Sequence, residues 1–276
     1  MPRTAPARLL IVAAAGCLVL ALALRGSDAD RALFLAVNDA AWRWLPAALP
    51  SCLTILGHGL GAVMVLSPAL MRRPSLLLAG LCAGPVALLL SRLPKVLIDS
   101  PRPAAVLDAA SIHISGMRLA GHNSFPSGHS ITAFVVAGVL IAAGGFERGF
   151  DRSIERYRPF TVGIILLAAC AVALSRIAVG AHWPSDTLGG AGLGLLAALA
   201  GVQVQRRWLP VTGRASVRAV LAVLVLGCAI ELVRLDLGYP LARLFQLALA
   251  AFGVLMAAIA LWRLWGERRS AARSAG

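Results

Sequence analysis

The 276-residue sequence predicts an all-α fold: a polytopic membrane bundle of about eight spanning helices, with one further helix lying in the membrane interface. Three observations predict it. Hydrophobic residues make up 59% of the chain and charged residues 14%, where a soluble domain carries about a quarter charged residues; mean hydropathy is +0.82. Several runs reach or approach the roughly 18 apolar residues that cross a bilayer. The 26 Lys and Arg residues, which give a net charge of +14, fall in short segments between those runs. That placement fits topology and anionic headgroups and excludes the basic soluble face of a nucleic-acid binder.

Taken in order, Arg3 and Arg8 precede an apolar run from Leu9 to Leu24. It suits a first span or the hydrophobic region of a signal peptide. Ala14 to Cys17 resembles a lipoprotein cleavage box, but the run continues past Cys17 and the resemblance is rejected. Ser27 followed by Asp30 has the spacing of a capping box. Phe34, Val37, Ala41 and Leu45 then share one helical face, with Arg31, Asn38 and Asp39 opposite, so residues 27–49 read as an amphipathic interfacial helix anchored by Trp42 and Trp44. Spans are expected at 51–71, 75–91, 130–146, 160–175, 187–205, 217–233 and 244–262.

Charge asymmetry orients these spans. With the N-terminus inside, sixteen of the 26 basic residues (Arg3, Arg8, Arg72, Arg73, Arg148, Arg152, Arg156, Arg158, Arg206, Arg207, Arg214, Arg218, Arg263, Arg268, Arg269 and Arg273) are cytoplasmic, and ten lie opposite. Both termini are then cytoplasmic, and the 92–129 loop and the 176–186 turn share the extracytoplasmic face. Trp42, Trp44, Trp183, Trp208, Trp262 and Trp265 all fall at span ends, as an aromatic belt does. The five cysteines lie in or beside apolar runs and read as small core residues. Gly57-xxx-Gly61 and Gly190-xxx-Gly194 read as close helix-packing sites.

Three segments on that face carry chemistry. The first holds Lys95, the one lysine in the sequence, seven residues before Arg102 and Pro103, with Asp99 between the two cations as a residue that would hold them in place. The second is Pro126-Ser127-Gly128-His129, immediately before a span. Ser127 can cap that helix, whose free N–H groups favour an anion, Gly128 permits close approach, and His129 projects from the first turn. The third is Ser175-Arg176, then His182 and Asp186 around Pro184, which suits the first position of a helix. At four residues' distance Asp186 can reach an imidazole nitrogen, fix its tautomer and raise its basicity, as a nucleophilic histidine requires. His58, His113 and His122 have no partner at fixed spacing and read as structural or solvated, with His122 near a substrate entrance.

Together these segments resemble the three-part signature of the type 2 phosphatidic acid phosphatase family, whose superfamily includes bacterial acid phosphatases and vanadium haloperoxidases. The resemblance covers about residues 50–205. It implies a six-helix phosphatase core within a membrane domain at 1–206, and leaves 207–276 as a two-span extension with no role assigned. It implies that Lys95, Arg102 and Arg176 hold the phosphate, that Ser127 and the Gly128 backbone add hydrogen bonds, and that His182 attacks phosphorus with Asp186 orienting it. His129 would protonate the leaving group and then activate water. No aspartate cluster or Cys/His spacing suggests a metal, and no metal or cofactor is expected.

The expected function is a bacterial inner-membrane lipid phosphatase with a periplasmic pocket. Its partners would be membrane lipids and a phosphorylated lipid substrate: phosphatidic acid, phosphatidylglycerophosphate, undecaprenyl pyrophosphate or lipid A. Transfer of the phosphate to another hydroxyl would use the same residues. A transporter or lipid-binding scaffold would instead place charges near the midplane, where this sequence has few.

Overall fold

The structure is a computed structural model and describes residues 5–143, 158–210 and 215–275. Arg3, Arg148, Arg152, Arg156 and Arg214, which enter the orientation count, lie outside the described residues. The elements are α1 (Ala5–Leu24), α2 (Asp28–Trp44), α3 (Ala48–Leu56), α4 (Gly59–Leu66), α5 (Pro74–Leu97), a short α6 (Pro103–Val106), α7 (Gly128–Ala143), α8 (Arg158–Ala178), α9 (Pro184–Trp208), α10 (Ala215–Arg234) and α11 (Arg243–Ala275). Six of them, α1, α5, α8, α9, α10 and α11, are long and apolar enough to cross a bilayer; the pair α3 and α4 makes a seventh if counted as one span. α7 is apolar but shorter. The expected count of about eight is reached when both are included.

α9 is the axis of the bundle. Its apolar stretch is 61% buried, against 17–33% for the other five long spans. Lipid gives apolar helices no solvent to escape, so association depends on close packing between small residues. α9 supplies them on three sides. A Cβ added at Gly190 or Gly194 would run into the α7 backbone at Ser127 and Ile131, one at Gly192 into Ala14 of α1, and one at Gly201 into Ala79 of α5. Gly190-xxx-Gly194 is therefore a packing site, as expected.

Gly57-xxx-Gly61 is one only at Gly57, and it also marks a bend. The expected 51–71 span breaks at Gly57 and His58, where α3 and α4 meet at 76°. The His58 Nδ1 accepts the Leu60 N–H and starts α4, and Gly61 packs back on the Ile55 carbonyl across the bend. Gly61 thus closes a bend within the chain, while Gly57 is a close contact between elements, where a Cβ would meet the His129 and Val172 side chains at 2.9 Å.

α10 and α11 form a hairpin that shares one apolar core with α4 and α5, built from Met64, Leu70, Leu77, Leu221, Val225, Leu232, Ala250 and Ala257. Gln246 closes the turn by donating to the Leu232 and Leu235 carbonyls at the end of α10, which answers two of the carbonyls a helix end leaves free. The two helices of the 207–276 extension are thus packed against the bundle.

α2 departs from its amphipathic reading. Ser27 does cap it, accepting the Asp30 N–H, an interaction worth about 1 kcal/mol. The Ser27 N–H, however, goes to Leu24, and the Asp30 carboxylate turns instead to Ser185. The buried face is Asp30, Phe34 and Asn38, so Asn38 lies with the apolar residues and not opposite them. The face buries polar groups because it meets helix ends, not lipid. Trp183 also departs from the aromatic belt: its Nε1 donates to the Pro101 carbonyl and its ring meets Phe34, whereas Trp42, Trp44, Trp208, Trp262 and Trp265 are exposed as anchors.

Candidate active site

All eight residues singled out from the sequence lie at one end of the bundle. Lys95 is in the last turn of α5, Arg102 starts α6, Ser127 caps α7, Gly128 and His129 form its first turn, Arg176 ends α8, and His182 and Asp186 flank the start of α9 at Pro184. A short backbone ladder joins the first two segments: Ser100 N–H to His122 O, Ser124 N–H to Ser100 O and Arg102 N–H to Gly121 O. The Ser127 N–H donates to the Asp186 carbonyl at 3.0 Å and joins the second segment to the third.

His182 sits in a fixed polar nest. One Asp186 carboxylate oxygen, Oδ2, faces the His182 Nδ1 at 3.3 Å and also accepts from the Trp183 N–H at 2.9 Å and the Ser124 hydroxyl. A carboxylate at Nδ1 selects the Nδ1–H tautomer and leaves the lone pair on Nε2. Beside that nitrogen, at 3.4 Å, is the Arg102 Nη1, itself anchored on the Ala181 carbonyl, while its Nε donates to Asn123. His182 and Asp186 are both buried. Burial, and then the charges of Arg102, Arg176 and Lys95, hold the His182 pKa well below its ordinary value. The imidazole is therefore neutral at neutral pH, with its free nitrogen aimed among cations.

The cations are not neutralised. Arg102 and Arg176 are nearly inaccessible, and among the described residues neither forms a salt bridge. Lys95 is close enough to Arg102, Asp186 and Arg176 to feel their charges. Such a cluster of like charges is costly in a low dielectric and becomes favourable when an anion enters. The Nε of Arg176 is buried with no protein acceptor among the described residues. Ser127 accepts from the Ser130 N–H and hydroxyl and leaves its own O–H to donate. The N–H groups of Gly128 and His129, in the first turn, have no intrahelical acceptor.

His129 has different surroundings. It is half-buried and lines a cavity of about 420 Å³ between α4, α5 and α7. Its lining includes the polar groups His58, Ser91 and Arg92 and the apolar Leu66, Leu77 and Val136. The His58 ring lies 6.3 Å from that of His129.

One expectation changes. Asp99 does not hold Lys95 and Arg102; its carboxylate is exposed and pairs with His122 at 3.0 Å. His113 takes the structural alternative, its ring stacked on Trp42 at 4.7 Å. Four contributing residues escaped the sequence reading. Ser124 shares the Asp186 oxygen with His182. Asp30 accepts from the Ser185 N–H at 2.9 Å and fixes the first turn of α9. Asn38 donates to the Ile177 and Ala178 carbonyls and fixes the end of α8 just past Arg176. Thr54 accepts from the Arg176 Nη1 at 3.2 Å. The spacing of Asp30, Phe34 and Asn38 on one face is a signal that was present for the second and third.

The PAP2 superfamily model matches residues 74–210, a stretch that contains all eight site residues and ends before α10. The lipid A 1-phosphatase of Rhizobium etli is 36% identical to this chain over 77 residues, which is 27% of this chain. The match spans 26% of that curated relative's own length. The crystal structure of Aquifex aeolicus LpxE has a similar fold, with a TM-score of 0.50 and 23% identity, covering 65% of this chain and 98% of that one.

Proposed function

The chain belongs to the PAP2 superfamily, and from that premise we propose that it is a membrane lipid phosphatase acting through a phosphohistidine on His182. The observation that carries the reading is the arrangement at one imidazole: Asp186 on Nδ1, Arg102 beside Nε2, and the whole ring buried and neutral. In the first step Nε2 attacks phosphorus in line; the P–N bond forms, the bond from phosphorus to the lipid oxygen breaks, and His129 gives that oxygen its proton. In the second, His129 takes a proton from water, the water oxygen attacks phosphorus, and the P–N bond breaks to release inorganic phosphate. Lys95, Arg102 and Arg176 hold the equatorial oxygens as their charge grows, with Ser127 and the Gly128 N–H adding hydrogen bonds. These side chains supply the positive charge that a metal supplies elsewhere, and the reaction is metal-independent. The charge asymmetry of the sequence supports a pocket on the periplasmic side of an inner membrane.

The apolar cavity beside His129 supports a lipid substrate, because a soluble ester has no use for an apolar recess next to the leaving group. The relative from Rhizobium etli favours a lipid A-type phosphate among the four candidates. The test is phosphate release by full-length protein in detergent with EDTA present, across lipid A, phosphatidic acid, phosphatidylglycerophosphate and undecaprenyl pyrophosphate. At least one lipid is cleaved at an undiminished rate under chelation. Cleavage of soluble esters alone would defeat the lipid assignment, and loss of all turnover with EDTA would defeat metal independence.

A further inference from the structure

Arg176 is held from outside the stretch that matches the family. The residue is 2% exposed, and among the described residues its guanidinium pairs with no carboxylate. Its Nη1 donates to two neutral hydroxyls, Thr54 Oγ1 at 3.2 Å and Tyr239 Oη at 2.7 Å. Its Cζ lies 5.7 Å from the centroid of the Tyr239 ring, within reach of the ring's negative face. The Thr54 hydroxyl passes its own proton toward Ser175 Oγ, which in turn donates to the Val172 carbonyl. A buried cation would be held more strongly by a carboxylate, but a carboxylate would cancel the charge. Neutral acceptors fix the guanidinium and leave its charge intact.

Tyr239 belongs to the connection between α10 and α11 and is held from several sides. It is buried against Ile55, Val179, Ala181 and Ala242. Before it, Gly238 has φ +75° and its carbonyl accepts the Met117 N–H at 3.1 Å. Gly116, at φ +84°, lies flat against the same carbonyl and the Tyr239 ring, where a Cβ would clash. The C-terminal hairpin is thereby pinned to the 113–119 loop with the tyrosine hydroxyl directed at Arg176.

We propose that the C-terminal hairpin completes the phosphate site, with Tyr239 as a positioning residue that holds the Arg176 guanidinium for the substrate's phosphate without neutralising it. The proposal rests on the reading of Arg176 as a phosphate-holding residue. It gives the two spans beyond the family match a role in the chemistry.

The test is a double-mutant cycle on full-length protein in nanodiscs, reading the affinity for orthovanadate, a five-coordinate mimic of phosphoryl transfer, by calorimetry. Tyr239→Phe keeps the ring and removes the acceptor; affinity falls roughly ten- to a hundredfold while the melting temperature stays close to wild type. Arg176→Lys weakens binding by itself, and adding Tyr239→Phe to it costs nothing further, because the tyrosine acts only through the arginine. Tyr239→Glu gives a stable protein that binds orthovanadate more weakly than the Phe variant, since the new carboxylate consumes the charge. A Tyr239→Phe effect that persists in full in the Arg176→Lys background, or a Glu variant that binds as well as wild type, overturns the proposal. If Arg176→Lys weakens binding but Tyr239→Phe does not, the positioning role alone fails. If Arg176→Lys itself changes nothing, the assignment of Arg176 to the phosphate fails first.

Discussion

His182 and His129 stand at the same end of the bundle in different surroundings. His182 is buried among hydrogen-bonding groups, with Asp186 and Ser124 at one nitrogen and Arg102 at the other. His129 is half-buried on the wall of an apolar cavity, with the His58 imidazole 6.3 Å away. In the proposed reaction the same side chain takes two jobs. A nucleophile must be fixed in tautomer and direction, which the nest provides; a group that hands a proton to the leaving oxygen and later takes one from water must meet the place where those molecules arrive. Environment, not residue type, separates the roles.

That contrast breaks most severely at Asp186. Asp186→Asn keeps the size but loses the carboxylate that fixes His182, and turnover of the lipid substrate falls on the order of 10³- to 10⁴-fold. Steady-state rates on purified protein check this, and a loss under tenfold would show that the nest does not activate His182. The cavity is probed by Gly84→Phe. Gly84 lines it, and a Cβ added there meets nothing within 4 Å, so the ring fills space that the lipid chain would occupy. The expected result is about a tenfold rise in KM for long-chain substrate with p-nitrophenyl phosphate unaffected; equal effects on both would remove the cavity from lipid binding.

The smallest effect is electrostatic. In the proposed reaction His182 attacks only when unprotonated, and its pKa is lowered first by burial and then by Arg102, Arg176 and Lys95. In nitrogen-15 spectra of histidine-labelled protein its ring stays neutral as pH falls through about 6.5 and protonates only at lower pH. Arg102→Gln removes one repelling charge and moves that transition upward. A ring that titrates near 6.5 in the wild type, or one that Arg102→Gln does not shift, would contradict the nest.

The two regions also differ in how far the sequence discloses them. Lys95, Arg102, Ser127, His129, Arg176, His182 and Asp186 stand at fixed spacings beside span ends, so their gathering at one end of the bundle was legible, as was the start of α9 at Pro184. The supports were not. Ser124 lies in a loop without periodicity and is placed by its ladder to Ser100. Tyr239 is 63 residues from Arg176, and nothing local to either announces the other. The bend at Gly57 and His58 carried a breaker signal, two glycines around a polar residue, that hydropathy over a long apolar run conceals. Asn38 fell on the wrong face because a helix burying polar groups against helix ends violates the pattern by which amphipathic faces are read.

The central claim is that phosphate passes through His182 and leaves with the help of His129. The most direct measurement uses His129→Gln protein with radiolabelled p-nitrophenyl phosphate, whose leaving group needs little help from an acid. The label accumulates on the protein in an acid-labile, base-stable form, maps to His182, and is absent when His182→Ala is added. Label on another residue, or turnover with no labelled protein at any time, would contradict the account.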